Sequence, residues 1–152
     1  MDSAILIAGH RAIIDAARAM LATLAAAPVD MAMLARHRMT LSLRVRDQLR
    51  HEDRMIMPRL NAERAALPPA VRDLLDRRTL MMRRYSEHVG QWNLQAVSAD
   101  LPTFHAETAA LVADVVALLA AKERTLFPHV QSLADRSPTM AGQPVPPLPI
   151  AS

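Results

Sequence analysis

The sequence predicts an all-α protein, an antiparallel up-down-up-down four-helix bundle followed by a Pro-rich C-terminal tail. Apolar residues make up 51% of the 152 residues, and Ala, Leu, Met and Val dominate, with three glycines and few aromatics. This composition is typical of helices. Four long segments repeat apolar residues at helical spacing, and short connections separate them. Helices of about 25–30 residues joined in this way favour antiparallel neighbours.

The first two helices are predicted over about 3–26 and 30–60. Pro28 closes the first helix, and Asp30 is a suitable N-cap for the second. Pro58 lies near the end of the second apolar stripe, where we expect the helix to kink or stop. The short connection between the two segments predicts a helical hairpin.

The third and fourth helices are predicted to begin at Pro68-Pro69 and at Asp100-Leu101-Pro102. Proline suits the first turn of a helix, where its missing N–H leaves no bond unmade. The third helix is expected to continue to about residue 97, and the fourth to end near Pro128. Residues 1–135 therefore form the predicted bundle domain, and the Pro-rich residues 136–152 form a predicted extended tail.

Several function classes are disfavoured by composition. The chain has no cysteine, which excludes disulfides, thiolate metal ligands and cysteine nucleophiles. It has no Gly-rich phosphate loop and no nucleophile elbow, so no catalytic residue and no enzyme activity are predicted. The arginine run over 44–59 is interrupted by acidic residues and lacks interleaved aromatics, so we do not expect nucleic-acid binding.

No membrane partner is expected either. The apolar stretch 5–28 carries Arg11, Asp15 and Arg18, which disqualify it as a spanning helix. No secretory signal is recognised at the N-terminus. The expected location is therefore cytoplasmic, and the expected partners are another protein or a second copy of the chain, because a helical bundle rich in alanine and methionine can expose an apolar face.

Polar residues interrupt the apolar stripes of all four predicted helices at similar heights. His10 lies about 18 residues before Pro28 and Gln48 about 20 after it, and the rise per residue is fixed at about 1.5 Å. Counting in the same way across the other turns predicts one inward layer within one or two helical turns. Buried polar groups are costly unless they satisfy one another, so this layer is the predicted functional site. Its predicted members are His10, Gln48, Glu52, His88 and Lys122.

Two segments of the chain resemble the hemerythrin-like (HHE cation-binding) domain family. The second helix ends RHEDRMIMPRL and the fourth ends AKERTLFPHV, similar to the family's His-x-x-x-Glu followed by an apolar pair and proline. The resemblance covers roughly residues 5–133. It implies a hemerythrin fold and a non-haem di-iron centre that meets oxygen or nitric oxide, with histidines contributed by the first and third helices.

The resemblance implies six ligand positions, of which three carry a suitable residue. The matching metal ligands are His10, Glu52 and His88. The other three positions lie ten residues before Pro58 and ten and six residues before Pro128. They are occupied by Gln48, Leu118 and Lys122. Leucine and a protonated ammonium cannot ligate a metal, so we expect weak or lost iron binding.

Lys122 suggests what replaces the metal. Its ammonium is predicted to pair with Glu52, while His10 and His88 hydrogen-bond through Gln48 or a water molecule. Leaving one charge of such a buried pair without the other would cost several kcal/mol.

A slipped register of the fourth helix is the alternative. It would turn Glu123 inward and Lys122 outward and create a site for one zinc or iron ion. The ligands of that site would be His10, Glu52, His88 and Glu123.

Three functions are compatible with these patterns. The chain is predicted to be a hemerythrin-like protein with weak or lost di-iron binding and a sensory or regulatory role. The alternatives are a functional non-haem iron or single-metal protein that senses or carries oxygen or nitric oxide, and a metal-free protein-interaction module.

Overall fold

The computed structural model describes residues 2–137, and most of the predicted tail lies outside them. Within this range all regular secondary structure is helical, which confirms the all-α class. A 3-10 turn at Arg64–Ala66 and a π-helical segment at Lys122–Leu126 accompany the α-helices. The α-helices are α1 (Ser3–Ala25), α2 (Met31–Met55), α3 (Met57–Ala62), α4 (Pro69–Gln91), α5 (Leu94–Ala99), α6 (Leu101–Ala121) and α7 (Phe127–Arg136).

The cap predicted for α2 is present, and the predicted start of the fourth helix, now α6, is capped in the same way. Asp30 accepts a hydrogen bond from the Met33 backbone N–H at 3.0 Å, and Asp100 accepts one from the Thr103 N–H at 3.2 Å. Each carboxylate satisfies one of the N–H groups that the first helical turn leaves without a partner. Pro69 stands in the first turn of α4, as predicted.

The predicted second and third helices are each divided in two. The second breaks at Ile56, where Pro58 opens α3, in agreement with the expected kink. The third ends at Gln91, so the prediction of one helix to residue 97 is wrong. The Asn93 side chain accepts a hydrogen bond from the Ala96 N–H at 2.8 Å and thereby starts the separate helix α5.

The fourth predicted helix continues through the π-helical segment into α7. The Phe127 N–H donates to the Lys122 carbonyl, which is the wider hydrogen-bond spacing of a π turn. Pro128 follows directly and has no N–H to donate to the preceding turn. One extra residue is thus accommodated where the sequence predicted an inward-facing lysine.

The buried apolar residues form two clusters. The first includes Leu6, Ile56, Leu74 and Leu118, and the second includes Leu24, Leu34, Trp92 and Phe104. Helix α1 packs against α2 and α6, and α4 packs against α6 and the π-helical segment. Buried polar side chains of α1, α2, α4 and the π-helical segment lie among these packed helices.

The helical stretch Leu101–Arg136 is the one segment within residues 2–137 that is long and apolar enough to cross a membrane by length and composition. Core helices of soluble proteins pass the same test, so this property is weak evidence either way.

Candidate polar site in the helical core

Glu52 is the centre of the buried polar site. Its side chain is 1% exposed, and its two oxygens contact two different cations. Oε1 accepts a hydrogen bond from Lys122 Nζ at 2.8 Å, and Oε2 accepts one from Arg78 Nε at 2.7 Å. Lys122 is itself 4% exposed. The predicted pair of Glu52 and Lys122 is therefore present, together with a guanidinium that the sequence analysis did not include.

The opposite charges of Glu52 and its two cations, Lys122 and Arg78, stabilise the ionised form of the carboxylate. Burial by itself would raise the pKa of Glu52, but the neighbouring His10, Lys122 and Arg78 side chains together lower this pKa well below its usual range. Burial also lowers the pKa of Lys122, and the Glu52 carboxylate opposes that effect. Glu52 is therefore ionised at neutral pH, and its negative charge forms ion pairs with both Lys122 and Arg78.

His10 lies between two carboxylates. Its side chain is fully buried, and Nδ1 lies 2.8 Å from Glu123 Oε1 in a hydrogen bond. Nε2 lies 4.0 Å from Glu52 Oε1, which is beyond hydrogen-bond distance, and it has no other partner within residues 2–137. The ring also packs on Phe127, with 5.2 Å between centroids.

Lys122 and Glu123 both reach the site, at the start of the π-helical segment. On a regular α-helix, only one of these two residues was expected to face inward. In the structure Lys122 is buried on Glu52, while the adjacent Glu123, 38% exposed, reaches His10 from the edge of the site. The prediction that Lys122 would turn outward in order to bring Glu123 to the site is wrong, because the widened turn lets both side chains reach it.

Gln48 contacts the site through a close approach to α1. Its Nε2 lies 3.4 Å from Glu52 Oε1, a long hydrogen bond, and its side chain is almost completely buried. A Cβ atom added to Gly9 would lie only 1.8 Å from Gln48 Oε1. The glycine at this position therefore makes room for the amide, whose Oε1 has no hydrogen-bond partner in the part of the chain that the structure describes.

His88 does not belong to this layer. Its Nε2 lies 3.1 Å from Thr108 Oγ1, and its ring stacks on Phe104 at 5.7 Å between centroids. The four other predicted members, His10, Gln48, Glu52 and Lys122, do come together. The height of His88 was miscounted because it lies about 12 residues before the turn near Asp100 whereas Lys122 lies about 22 residues after it, a difference of about 15 Å along antiparallel helices.

Arg78 takes the place expected for His88. Both residues are on α4, and ten residues of helix separate them by about 15 Å along the axis. Arg78 was not among the residues predicted for the site. Its spacing from the buried residues Val71 and Leu74 follows the helical apolar stripe, and this was the available signal.

The residues present do not fit a di-iron centre. Both Glu52 oxygens accept hydrogen bonds from cations, and His88 lies away from the site. Leu118 and protonated Lys122 have no atom that can coordinate a metal ion. Among residues 2–137, no three or more His, Asp or Glu side chains are grouped so that they could hold a metal ion. The donor set of this site favours ion pairing over metal coordination.

Compared with protein-family models, curated proteins and solved structures, the chain shows no significant match. The likeness to the hemerythrin-like family therefore rests on the residues quoted above, and any function for the polar site has to be argued from its geometry.

Proposed function

We propose that the chain is a hemerythrin-like four-helix bundle in which an ionic cluster stands in place of the di-iron centre, and that it has a sensory or regulatory role. The observation that carries the proposal is the double engagement of Glu52 by Lys122 and Arg78. Glu52 and Lys122 occupy two of the ligand positions that the family resemblance implies. An ammonium and a guanidinium supply there the positive charge that a metal would otherwise supply.

The two core clusters support an up-down-up-down arrangement. One cluster combines residues from the start of α1, the end of α2, the start of α4 and the end of α6. The other combines residues from the opposite ends of the same four helices. This distribution is what alternating helix directions produce, because each end of an antiparallel bundle collects the starts of two helices and the ends of the other two.

A regulatory role is supported by the charged groups of the site, which are buried and already bonded and so are not free to bind a substrate. Glu52, Lys122 and Arg78 are all at least 91% buried, and both cations are bonded to Glu52. Large apolar side chains are exposed on the surface, among them Met39, Leu80 and Leu94. A protein partner or a second copy, a cytoplasmic location and the absence of nucleic-acid and membrane partners belong to the same proposal.

Elemental analysis tests the loss of iron. The chain should be expressed with iron, zinc and manganese supplied, purified without chelators and measured for metal per chain. We expect well under one metal ion per chain, because Glu52 is already neutralised. Two irons with the visible absorption of an oxo-bridged pair would overturn the proposal. One metal ion that is lost in Glu123→Gln would favour the single-metal alternative.

A restoration variant tests the family resemblance itself. The substitutions Gln48→His, Leu118→His and Lys122→Glu would refill the three replaced ligand positions, and Arg78→His would supply the histidine of α4 at the height of the site, where His88 does not reach. If the resemblance is correct, this quadruple variant binds iron and the same variant carrying His10→Ala binds less. A quadruple variant that keeps its helical circular dichroism and binds no iron would contradict the resemblance.

A further inference from the structure

A large apolar cavity opens between α1, α2, α4 and α6. Its volume is about 450 Å³, which lies within the range of about 300–1,000 Å³ found for small-molecule sites. Exposed apolar residues, including Met39, Met82 and Val89, line it as well. Buried and partly buried apolar side chains cover most of its wall, among them Ile13, Met20, Val45, Met81, Leu111 and Val115.

The charged groups that line this cavity are all of one sign. They are Arg38, Arg78 and Lys122, and neither aspartate nor glutamate is among the lining residues. Lys122 is paired with Glu52, and Arg78 is paired with Glu52 and Asp53. Arg38 has no carboxylate within ion-pair distance among residues 2–137. The cavity thus combines an apolar wall with one cation that lacks a counter-charge.

The guanidinium of Arg38 is held in position but is not saturated. Its Nη2 donates a hydrogen bond to the Trp92 carbonyl, and its Cζ lies 5.2 Å from the centroid of the Phe104 ring. A guanidinium carries five N–H donors, so most of them stay available for a ligand. Burial lowers the pKa of Arg38, which is the direction expected for a cation without an anionic partner.

The neighbouring polar groups add hydrogen-bonding capacity without adding negative charge. The hydroxyl groups of Tyr85 and Ser42 lie 3.0 Å apart in a hydrogen bond, and both residues line the cavity. His88 also lines it, and burial together with the charge of Arg38 lowers the pKa of this imidazole. Glu107 opposes that effect, but it accepts a hydrogen bond from Trp92 Nε1 at 2.7 Å and is not among the lining residues. This part of the wall therefore suits an anionic group and repels a cation.

We propose that the cavity binds a small amphipathic carboxylate, with its apolar tail among the helices and its carboxylate on Arg38. A planar carboxylate can accept two parallel hydrogen bonds from one guanidinium, whereas a phosphate ester would bring more charge than a single free cation neutralises. The inference does not depend on the loss of iron, because Arg38 makes no contact with the Glu52 cluster.

Calorimetric titration of the full chain with decanoate and with decanol tests the head group. The two probes share their tail length and differ in charge. We expect one decanoate per chain and a decanol affinity at least tenfold weaker, since a charge-assisted bidentate pair contributes at least that factor. Equal affinities would overturn the assignment of the head group to Arg38.

Variants then locate the site. Arg38→Gln should weaken decanoate at least tenfold and leave decanol unchanged, while Arg36→Gln, an exposed arginine of the same helix, should change neither affinity. Val45→Phe fills the cavity and should weaken both probes, which provides a readout if Arg38→Gln does not fold. Failure of decanoate to bind the original chain would overturn the proposal, and sedimentation of that chain as a dimer would then indicate that a second copy covers the mouth. Metal content is measured separately, so the two proposals can fail independently.

Discussion

Two polar regions of the helical core contain the same kinds of side chain but treat them differently. Around Glu52, both carboxylate oxygens are bonded, Lys122 is paired with Glu52, and Arg78 is paired with Glu52 and Asp53. Around His88, the imidazole contacts a hydroxyl group and the Phe104 ring, and Arg38 contacts a backbone carbonyl and the same ring. The cations of the first region have counter-charges built into the fold, whereas the half-buried Arg38 of the second has none among residues 2–137 and is where we propose that a ligand binds.

Removal of the Glu52 charge should have the largest effect. Glu52→Gln leaves Lys122 buried without an anion and Arg78 with only the exposed Asp53 as a partner, and breaking a buried pair in this way costs about 3–5 kcal/mol. Asp53→Asn is the matched control, because Asp53 also accepts a hydrogen bond from Arg78, at 2.9 Å, but is 61% exposed. We expect the control to change the free energy of unfolding by about 0.5 kcal/mol or less. Urea denaturation at pH 7 measures both.

A double-mutant cycle isolates the pair behind that effect. If Glu52 and Lys122 stabilise each other, Lys122→Met should cost less in the Glu52→Gln background than in the original chain, with a coupling of about 1–3 kcal/mol. Strictly additive costs would contradict the pairing. If Glu52→Gln and Asp53→Asn lower the free energy of unfolding by similar amounts, the buried Glu52 contributes no more than the exposed Asp53.

The two glycines Gly9 and Gly90 provide a smaller and sharper contrast. Gly9 lies in the interior of α1, where alanine is intrinsically better by about 1 kcal/mol, and Gly90 lies in the last turn of α4. Gly90→Ala meets no atom within 4 Å and should stabilise the fold by about 0.4–1 kcal/mol. Gly9→Ala drives a methyl group onto the buried Gln48 amide and should destabilise by about 1 kcal/mol, because overpacking outweighs the helical gain. Thermal denaturation compares the two variants.

The Gln48→Ala background tests the stated cause. Without the amide, Gly9→Ala should lose its cost and become neutral or stabilising. If Gly9→Ala remains destabilising there, the close approach of Gln48 to α1 is not the reason for the glycine.

The sequence was sufficient to predict the helical class, the Asp30 cap, the start of the fourth helix at Asp100 and the pair of Glu52 with Lys122. These depend on local propensity and on the position of a side chain within a long apolar stripe, which the helical period predicts well. The level of His88 was predicted wrongly because the count accepted too large a difference in height. His88 lies about 12 residues before the turn near Asp100 and Lys122 about 22 residues after it, which is a difference of about 15 Å.

Arg78 was missed, and Glu123 was brought to the site only through a register that excluded Lys122, for a different physical reason. Arginine is common on solvated faces, so its charge alone does not distinguish Arg78 from its neighbours, and only its place on the stripe could have done so. Glu123 depends on the π-helical segment, and a count at 3.6 residues per turn assigns adjacent residues to different faces. A single inserted residue therefore changed which side chains meet His10.

The smallest expected effect is a pH dependence that belongs to His88 and not to the Glu52 cluster. Burial lowers the pKa of His88 below its usual value of about 6.5, so the unfolded chain binds the proton first. Its contribution to stability is therefore present above pH 6.5 and is lost as the pH falls toward the folded pKa. Glu52 also has a lowered pKa, but its contribution to stability is lost only below the usual glutamate range of about 4.3.

Urea denaturation of the original chain and of His88→Gln between pH 7 and pH 5 separates the contribution of His88 from that of Glu52. The difference in the free energy of unfolding between the two chains reports the histidine. We expect that difference to shift in favour of His88→Gln as the pH falls, and a constant difference would mean that His88 is as well solvated in the fold as in the unfolded chain.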